Sequence, residues 1–155
     1  MIFQLKRLFD RVGDRKDFDI SVPLEELGNA DADGYSPSFN APVSLKGQIV
    51  NRAGMVSLNY TADFAVRLTC DRCLDEFVRE FSCAFEHILV CDESDVLTGD
   101  EVVCLGGELD MSALSVSDML AELPTRNLCR DDCKGLCPDC GKNLNHGECG
   151  CKAAY

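Results

Sequence analysis

Val43-Ser-Leu-Lys-Gly-Gln-Ile49, then Asn51-Arg-Ala-Gly54, then Met55-Val-Ser-Leu-Asn-Tyr-Thr-Ala-Asp-Phe-Ala-Val-Arg-Leu-Thr69 is the stretch that decides the fold class. Residues two apart share one face of an extended strand. Val43, Leu45 and Ile49 therefore lie together. Phe64, Val66 and Leu68 do so further on, with Ala65, Arg67 and Thr69 opposite. Asn51-Arg-Ala-Gly54 has the composition of a turn between the two. After a reversal at Cys70-Asp-Arg-Cys73, a third strand carries Phe77, Phe81, Cys83, Phe85 and Leu89 on one face, interrupted by Arg79 and His87. Strand, turn, strand, turn, strand predicts an antiparallel meander with one packed face.

Working outward, Phe18-Asp-Ile-Ser-Val22 reads as a half-buried strand ended by Pro23. Ile2, Leu5, Leu8, Phe9 and Val12 fall near helical spacing and predict a short N-terminal helix. Residues 28–42 are expected to form a polar connection, and 91–100 an acidic surface loop. A short strand is expected from Glu101 to Leu105, followed by a turn at Gly106-Gly107. Asp110 or Ser112 can cap a helix carrying Leu114, Met119, Leu120 and Leu123, with Pro124 at its end. The expected class is α+β: an antiparallel β-sheet meander with one or two helices and a C-terminal zinc-knuckle-like tail. The 155-residue length suits one domain. Its expected parts are an acidic sheet-rich body over 1–124 and a cysteine-rich metal-binding tail over 125–155 packed on it.

The formal charge is -12, which opposes simple nucleic-acid binding, a process driven largely by neutralising phosphates. It is unevenly spread. From 124 onward five Lys/Arg (Arg126, Arg130, Lys134, Lys142, Lys152) face four acids, a formal +1, and the rest of the chain carries -13. Such a body suits a basic protein partner better than bare RNA. No apolar run nears the roughly 18 residues that span a bilayer, and charge breaks the N-terminal stretch early, so a cytoplasmic protein without membrane contact is expected. No Ser-His-Asp set, glycine-rich phosphate loop or HExxH is present. The chain is expected to be no enzyme and to have no small-molecule substrate.

Eleven cysteines without a secretory signal point to metal or redox chemistry rather than a disulfide scaffold. Cys137-Pro-Asp-Cys140-Gly has the spacing of a zinc knuckle, in which two thiolates on a tight turn face one ion. Cys149-Gly-Cys151 lies close enough to supply the other two ligands, giving Cys137, Cys140, Cys149 and Cys151 as the favoured tetrad. Sets using Cys129 or Cys133 stand as alternatives, since six thiolates cannot all be terminal ligands of one ion. His146 is a weaker candidate beside so many sulfurs. Cys70 and Cys73 form a second CxxC. They can join Cys129 and Cys133 in a second site if the helix returns the tail to the meander. Otherwise they are a redox dithiol, although a strand reversal lacks the helix N-terminus that lowers such a thiol's pKa, or simply two cysteines in a turn. Cys83 and Cys104 read as small hydrophobes in strands, and Cys91 stands alone. Fully sulfur-ligated zinc has no open position for activating water, so the expected cofactor is structural Zn2+.

Leu68-Thr-Cys70-Asp-Arg-Cys73-Leu74, then Leu123-Pro124, then Leu128-Cys129 through Cys133, Cys137 and Cys140 to Asn145, closing on Cys149-Gly-Cys151, resembles the YceD family. These are the large ribosomal RNA subunit accumulation proteins, formerly a domain of unknown function. The likeness runs from the N-terminal strand region to the tail. It implies a bacterial cytosolic protein, with plastid relatives, needed for ribosomal RNA to accumulate. In many bacteria its gene neighbours that of a small zinc-binding ribosomal protein. The family's tail cysteines map onto Cys129, Cys133, Cys137, Cys140, Cys149 and Cys151, and some relatives lack the tail, so metal is not the whole function.

The resulting expectation is a non-enzymatic factor for large-subunit biogenesis that binds a basic ribosomal protein or pre-ribosomal particle, with contact to ribosomal RNA indirect. One rival is a zinc-dependent module that grips ribosomal RNA through Arg126, Arg130, Lys134, Lys142 and Lys152. The other is a thiol redox or metal-transfer protein using Cys70 and Cys73.

Overall fold

The structure is a computed structural model describing residues 1–27 and 38–151. Positions 28–37 of the expected polar connection, and Lys152, lie outside the described residues. Three long strands follow the alternation read from the sequence: β4 (Val43–Arg52), β5 (Met55–Thr69) and β6 (Glu76–Val90). With β2 (Arg15–Val22) on one side they form an antiparallel array in the order β2-β4-β5-β6. The two-residue β3 (Ser38–Phe39) pairs with β5 at Arg67 and Val66, beyond the end of the β4 ladder. The expected Glu101–Leu105 strand is shorter, β7 (Val102–Val103), and it pairs parallel to β6, so the meander does not continue through it.

One sheet face is buried. Val43, Leu45 and Ile49 from β4 and Val56, Leu58, Ala62 and Val66 from β5 are all at most 1% exposed, and each large aliphatic contributes about 1.5–3 kcal/mol by leaving water. Gly47 lies on this face opposite Tyr60. A Cβ there would come within 2.5 Å of the Tyr60 Cβ and 2.3 Å of the Asn59 carbonyl oxygen, so only glycine permits this approach of β4 to β5. The β4–β5 hairpin closes through Ala53 at φ 54° and Gly54 at φ 91°, the left-handed pair that matches strand twist.

The N-terminus departs from its helical spacing. Ile2–Gln4 is a strand, β1, pairing with β8 (Glu108–Asp110), and only Lys6–Asp10 is helical, as α1. Tertiary pairing overrides the pattern because β8 offers β1 a ladder that a free segment lacks. A five-residue helix has almost no internal hydrogen bonds to hold it, and α1 has no side-chain N-cap. Asn51, fully buried, instead anchors the helix through carbonyls of its later residues. Its Nδ2 donates to the carbonyls of Leu8 (2.8 Å) and Phe9 (3.1 Å), while its Oδ1 accepts from Gly54 N (3.0 Å).

The second helix, α2 (Met111–Ala121), begins at Asp110, whose carboxylate accepts from the main-chain N–H groups of Ser112 and Ala113. Met111, Ser112, Ser115 and Met119 are its buried residues, whereas Leu120 is 37% exposed. Asp118 fixes α2 to the sheet by accepting from the Tyr60 hydroxyl and meeting His87 Nε2 at 2.7 Å. Burial first, and the hydrogen bond to Asp118 second, push the Tyr60 hydroxyl well above the usual tyrosine range.

Replacing Asn51 with alanine strips partners from two carbonyls and one N–H in the interior, and Asn51→Ala should cost about 2–4 kcal/mol. Urea denaturation read by circular dichroism measures this directly. A loss below about 0.5 kcal/mol would show that water fills the same role.

Candidate metal centres

The β5–β6 reversal is two thiols wide. Cys70 follows the last residue of β5, and the turn closes with Leu74 N donating to Cys70 O (2.9 Å) and Cys70 N to Asp75 O (2.9 Å). Leu74 takes a left-handed φ of 61° to complete it. The chain leaving α2 runs back to this turn. Asp71 N donates to Asn127 O (2.8 Å), and Asn127 N returns a bond to Asp71 Oδ2 (2.6 Å). Arg79 clasps the Leu128 carbonyl at 2.8 Å and Arg72 the Cys133 carbonyl at 2.9 Å.

These bonds deliver Cys129 and Cys133 onto Cys70 and Cys73. Cys70 Sγ lies 3.8 Å from Cys133 Sγ, Cys73 Sγ lies 3.7 Å from Cys129 Sγ, and all four sulfurs fall within 4.8 Å of one another. Zinc–sulfur bonds of about 2.3 Å in a tetrahedron place sulfurs about 3.8 Å apart. The donor set fits such an ion. Cys70, Cys73 and Cys133 are buried and Cys129 half-buried, packed against Phe77 and Leu128.

The second group is Cys137, Cys140, Cys149 and Cys151, again with sulfurs within 4.8 Å of one another. Its turn closes with Gly141 N donating to Cys137 O (2.9 Å) and Cys137 N to Lys142 O (2.8 Å), and Cys149 Sγ lies 3.3 Å from Cys137 Sγ. This group is open to solvent: Cys140 and Cys151 are exposed. Of the alternative sets left by the sequence, the structure brings together these two and divides the six tail cysteines between them.

Thiolates this close repel, and the protons distribute unevenly. At Cys70, burial pushes the thiol up but N–H groups of Cys129, Cys73 and Arg72 outweigh it, bringing it to about 6. Burial drives Cys73 the other way, to about 12. Main-chain N–H groups of Cys140 and Asp139 draw Cys137 down to about 7. A bound divalent cation removes the conflict by compensating all four sulfurs at once.

Two asparagines and an aspartate join the groups. Asn145 Nδ2 donates to Cys133 Sγ (3.3 Å), and its Oδ1 accepts from Lys134 N (2.8 Å) and from Arg130 (2.8 Å). Asn143 Nδ2 donates to Asp75 Oδ2 (2.7 Å), which also lies 3.4 Å from His146 Nε2. His146 thus belongs to the scaffold, and neither sulfur group includes it. Cys83, Cys91 and Cys104 also lie outside both groups, and Cys104 is fully buried, with burial raising its thiol to about 11. Among the tail cations, Arg130 is engaged by Asn145 and Asp132, and Lys142 donates to the Glu148 carbonyl at 2.7 Å. Sequence reading passed over Asn143, Asn145, Asp75 and Arg72. The only signal was Asn143-Leu-Asn145 following a CxxCG, where polar side chains must satisfy a turn that has no core.

The fold and its two four-sulfur groups define a small β-sheet protein whose sheet end and tail each carry a cysteine group that could hold a metal ion. The family model described as "Large ribosomal RNA subunit accumulation protein YceD" matches residues 58–155, and the chain belongs to that family. The match begins inside β5, a narrower span than the likeness drawn from the sequence, and it contains both cysteine groups. No curated protein and no solved structure matches the chain.

The unequal burial of the groups gives a mutational contrast. Cys73→Ser, at the sheet end, should lower the thermal midpoint by about 10 °C, on the order of 3 kcal/mol for a chain of this length. Cys140→Ser should leave the main transition within about 2 °C and increase only protease cleavage beyond residue 136. Equal losses in scanning calorimetry would show that the open group is as integral to the body as the buried one.

Proposed function

We propose that this chain is a non-enzymatic factor for biogenesis of the large ribosomal subunit, acting in the cytoplasm by docking on a basic ribosomal protein or an assembly intermediate. Family membership gives the ribosomal context, since the family's name concerns accumulation of large-subunit ribosomal RNA. The observation that carries the rest is the pairing of two four-sulfur groups with a body of charge -13. Structural Zn2+ would be held by Cys70, Cys73, Cys129 and Cys133 in one centre and by Cys137, Cys140, Cys149 and Cys151 in the other. A zinc with four thiolates presents no vacant position for a substrate or a water nucleophile, and each such centre carries a net -2. Metal loading therefore makes the chain more negative, which favours a basic protein over phosphate-rich RNA.

The RNA-gripping reading is weakened by the engagement of Arg130 and Lys142 in the tail's own hydrogen bonds. A redox role for Cys70 and Cys73 is weakened by the arrival of two further cysteines at the same point. No helix among the described residues is long and apolar enough to cross a membrane.

Elemental analysis of protein purified without added metal should return two zinc ions per chain, and Cys140→Ser should return one. Affinity capture from cells should retain a basic large-subunit ribosomal protein after nuclease treatment. Loss of every ribosomal component on nuclease treatment would overturn the reading in favour of RNA contact.

A further inference from the structure

β6 pairs with β5 along fourteen residue pairs, from Val56↔Leu89 to Thr69↔Glu76. On its other side it meets only β7, at Leu89 and Val90. Residues 76–87 of β6 thus present an open sheet edge: among the described residues no main-chain hydrogen bond joins them to anything but β5. Proteins usually keep such an edge short, bulged or covered, because its unpaired N–H and C=O groups accept a further strand.

The side chains along this edge are sorted by face. Towards the core face, Phe77, Phe81, Cys83 and Phe85 are only half-buried. Phe81 stacks on Phe64 and Phe85 packs at a tilt of 36° on Tyr60, each with centroids 5.2 Å apart, so the rings are held from the β5 side. The α2 helix and the chain after it reach β6 at His87, through Asp118, and at Arg79, through the Leu128 carbonyl. The opposite face carries Glu76, Glu80 and Glu86, and no cation of β6 lies on it. Arg67 reaches Glu76 at 3.6 Å. Glu80 and Glu86 face Ala65 and Asn59 across the ladder and form no ion pair among the described residues.

From this edge we infer that β6 is a strand-addition site for an extended basic segment of a partner protein. The incoming strand hydrogen-bonds to the free edge of residues 76–87. It lays alternate apolar side chains beside Phe81 and Phe85, and sets lysines or arginines beside Glu80 and Glu86. Two copies of β6 would instead bring two rows of glutamates together, so charge selects a basic partner over a second copy of this chain. This inference rests on the proposed docking to a basic ribosomal protein and places that contact on the sheet edge rather than on the cysteine tail.

The test uses the full metal-loaded chain and a synthetic peptide alternating lysine with valine, long enough to span β6. The control peptide has the same sequence but is N-methylated at every second residue, which keeps its charge and removes one edge of hydrogen bonding. Hydrogen exchange should show alternate amides within 76–87 gaining at least tenfold protection with the first peptide and none with the second. The double variant Glu80→Lys/Glu86→Lys, with an unchanged circular dichroism spectrum, should bind the first peptide at least tenfold more weakly. Equal binding of both peptides, or protection located elsewhere, overturns the inference. Edge protection without peptide, accompanied by a dimer in sedimentation, also overturns it by making the occupant a second copy. Capture from cells separates the two readings. A ribosomal protein retained equally by wild type and the double variant removes the edge but keeps the partner. A wild type that captures none removes the partner, while the peptide exchange still decides the edge.

Discussion

Four sulfurs converging from two distant parts of the chain are the constraint on which the cysteine end of the molecule depends. Cys70 and Cys133 are 63 residues apart in sequence, and Cys73 and Cys129 are 56 apart. Their meeting requires the β5–β6 ladder in register to its last pair, α2 seated on Tyr60 and His87, and the chain beyond it clasped by Arg72 and Arg79. An error in any of these would move a sulfur by more than the few tenths of an ångström that a tetrahedral ion tolerates. The cluster thus ties together elements whose direct contacts are few.

Most of the sheet was legible because strand alternation is a strong, local signal. β5 spans Met55–Thr69 and the third strand keeps Phe77, Phe81, Phe85 and Leu89 on one side, as the residues imply. The errors arose where partners are remote. Ile2–Gln4 carries a helical spacing yet pairs with Glu108–Asp110, a strand too short to announce itself. The parallel joining of β7 to β6 likewise depends on a loop path that no residue pattern encodes. In the cysteine regions the ligand types and the CxxC spacings were readable, whereas the division of six tail sulfurs between two groups needed the third dimension. Spacing alone favoured the compact tetrad around Cys137 and left Cys129 and Cys133 open, because their companions lie beyond the reach of any local pattern.

Charge and chemistry separate along the molecule. The edge of β6 carries Glu80 and Glu86, while near the cysteine groups Arg72, Arg79, Arg130 and Lys142 are bonded to carbonyls and an amide of the chain itself. Arginine suits this work, since its planar fork can hold a carbonyl in a fixed direction. Arg72 and Arg79 therefore act as clamps on main-chain oxygen.

Cys133 and Cys137 stand only four residues apart yet belong to different groups, so the two groups close loops of very different length. Cys137 and Cys151 close a loop of fourteen residues, against sixty-three for Cys70 and Cys133. Chain-closure entropy favours the shorter loop by about 1.3 kcal/mol, and it needs no prior sheet. Asn145 lies inside the short loop yet bonds to Cys133, Lys134 and Arg130 before it, so one side chain couples the local closure to the long one.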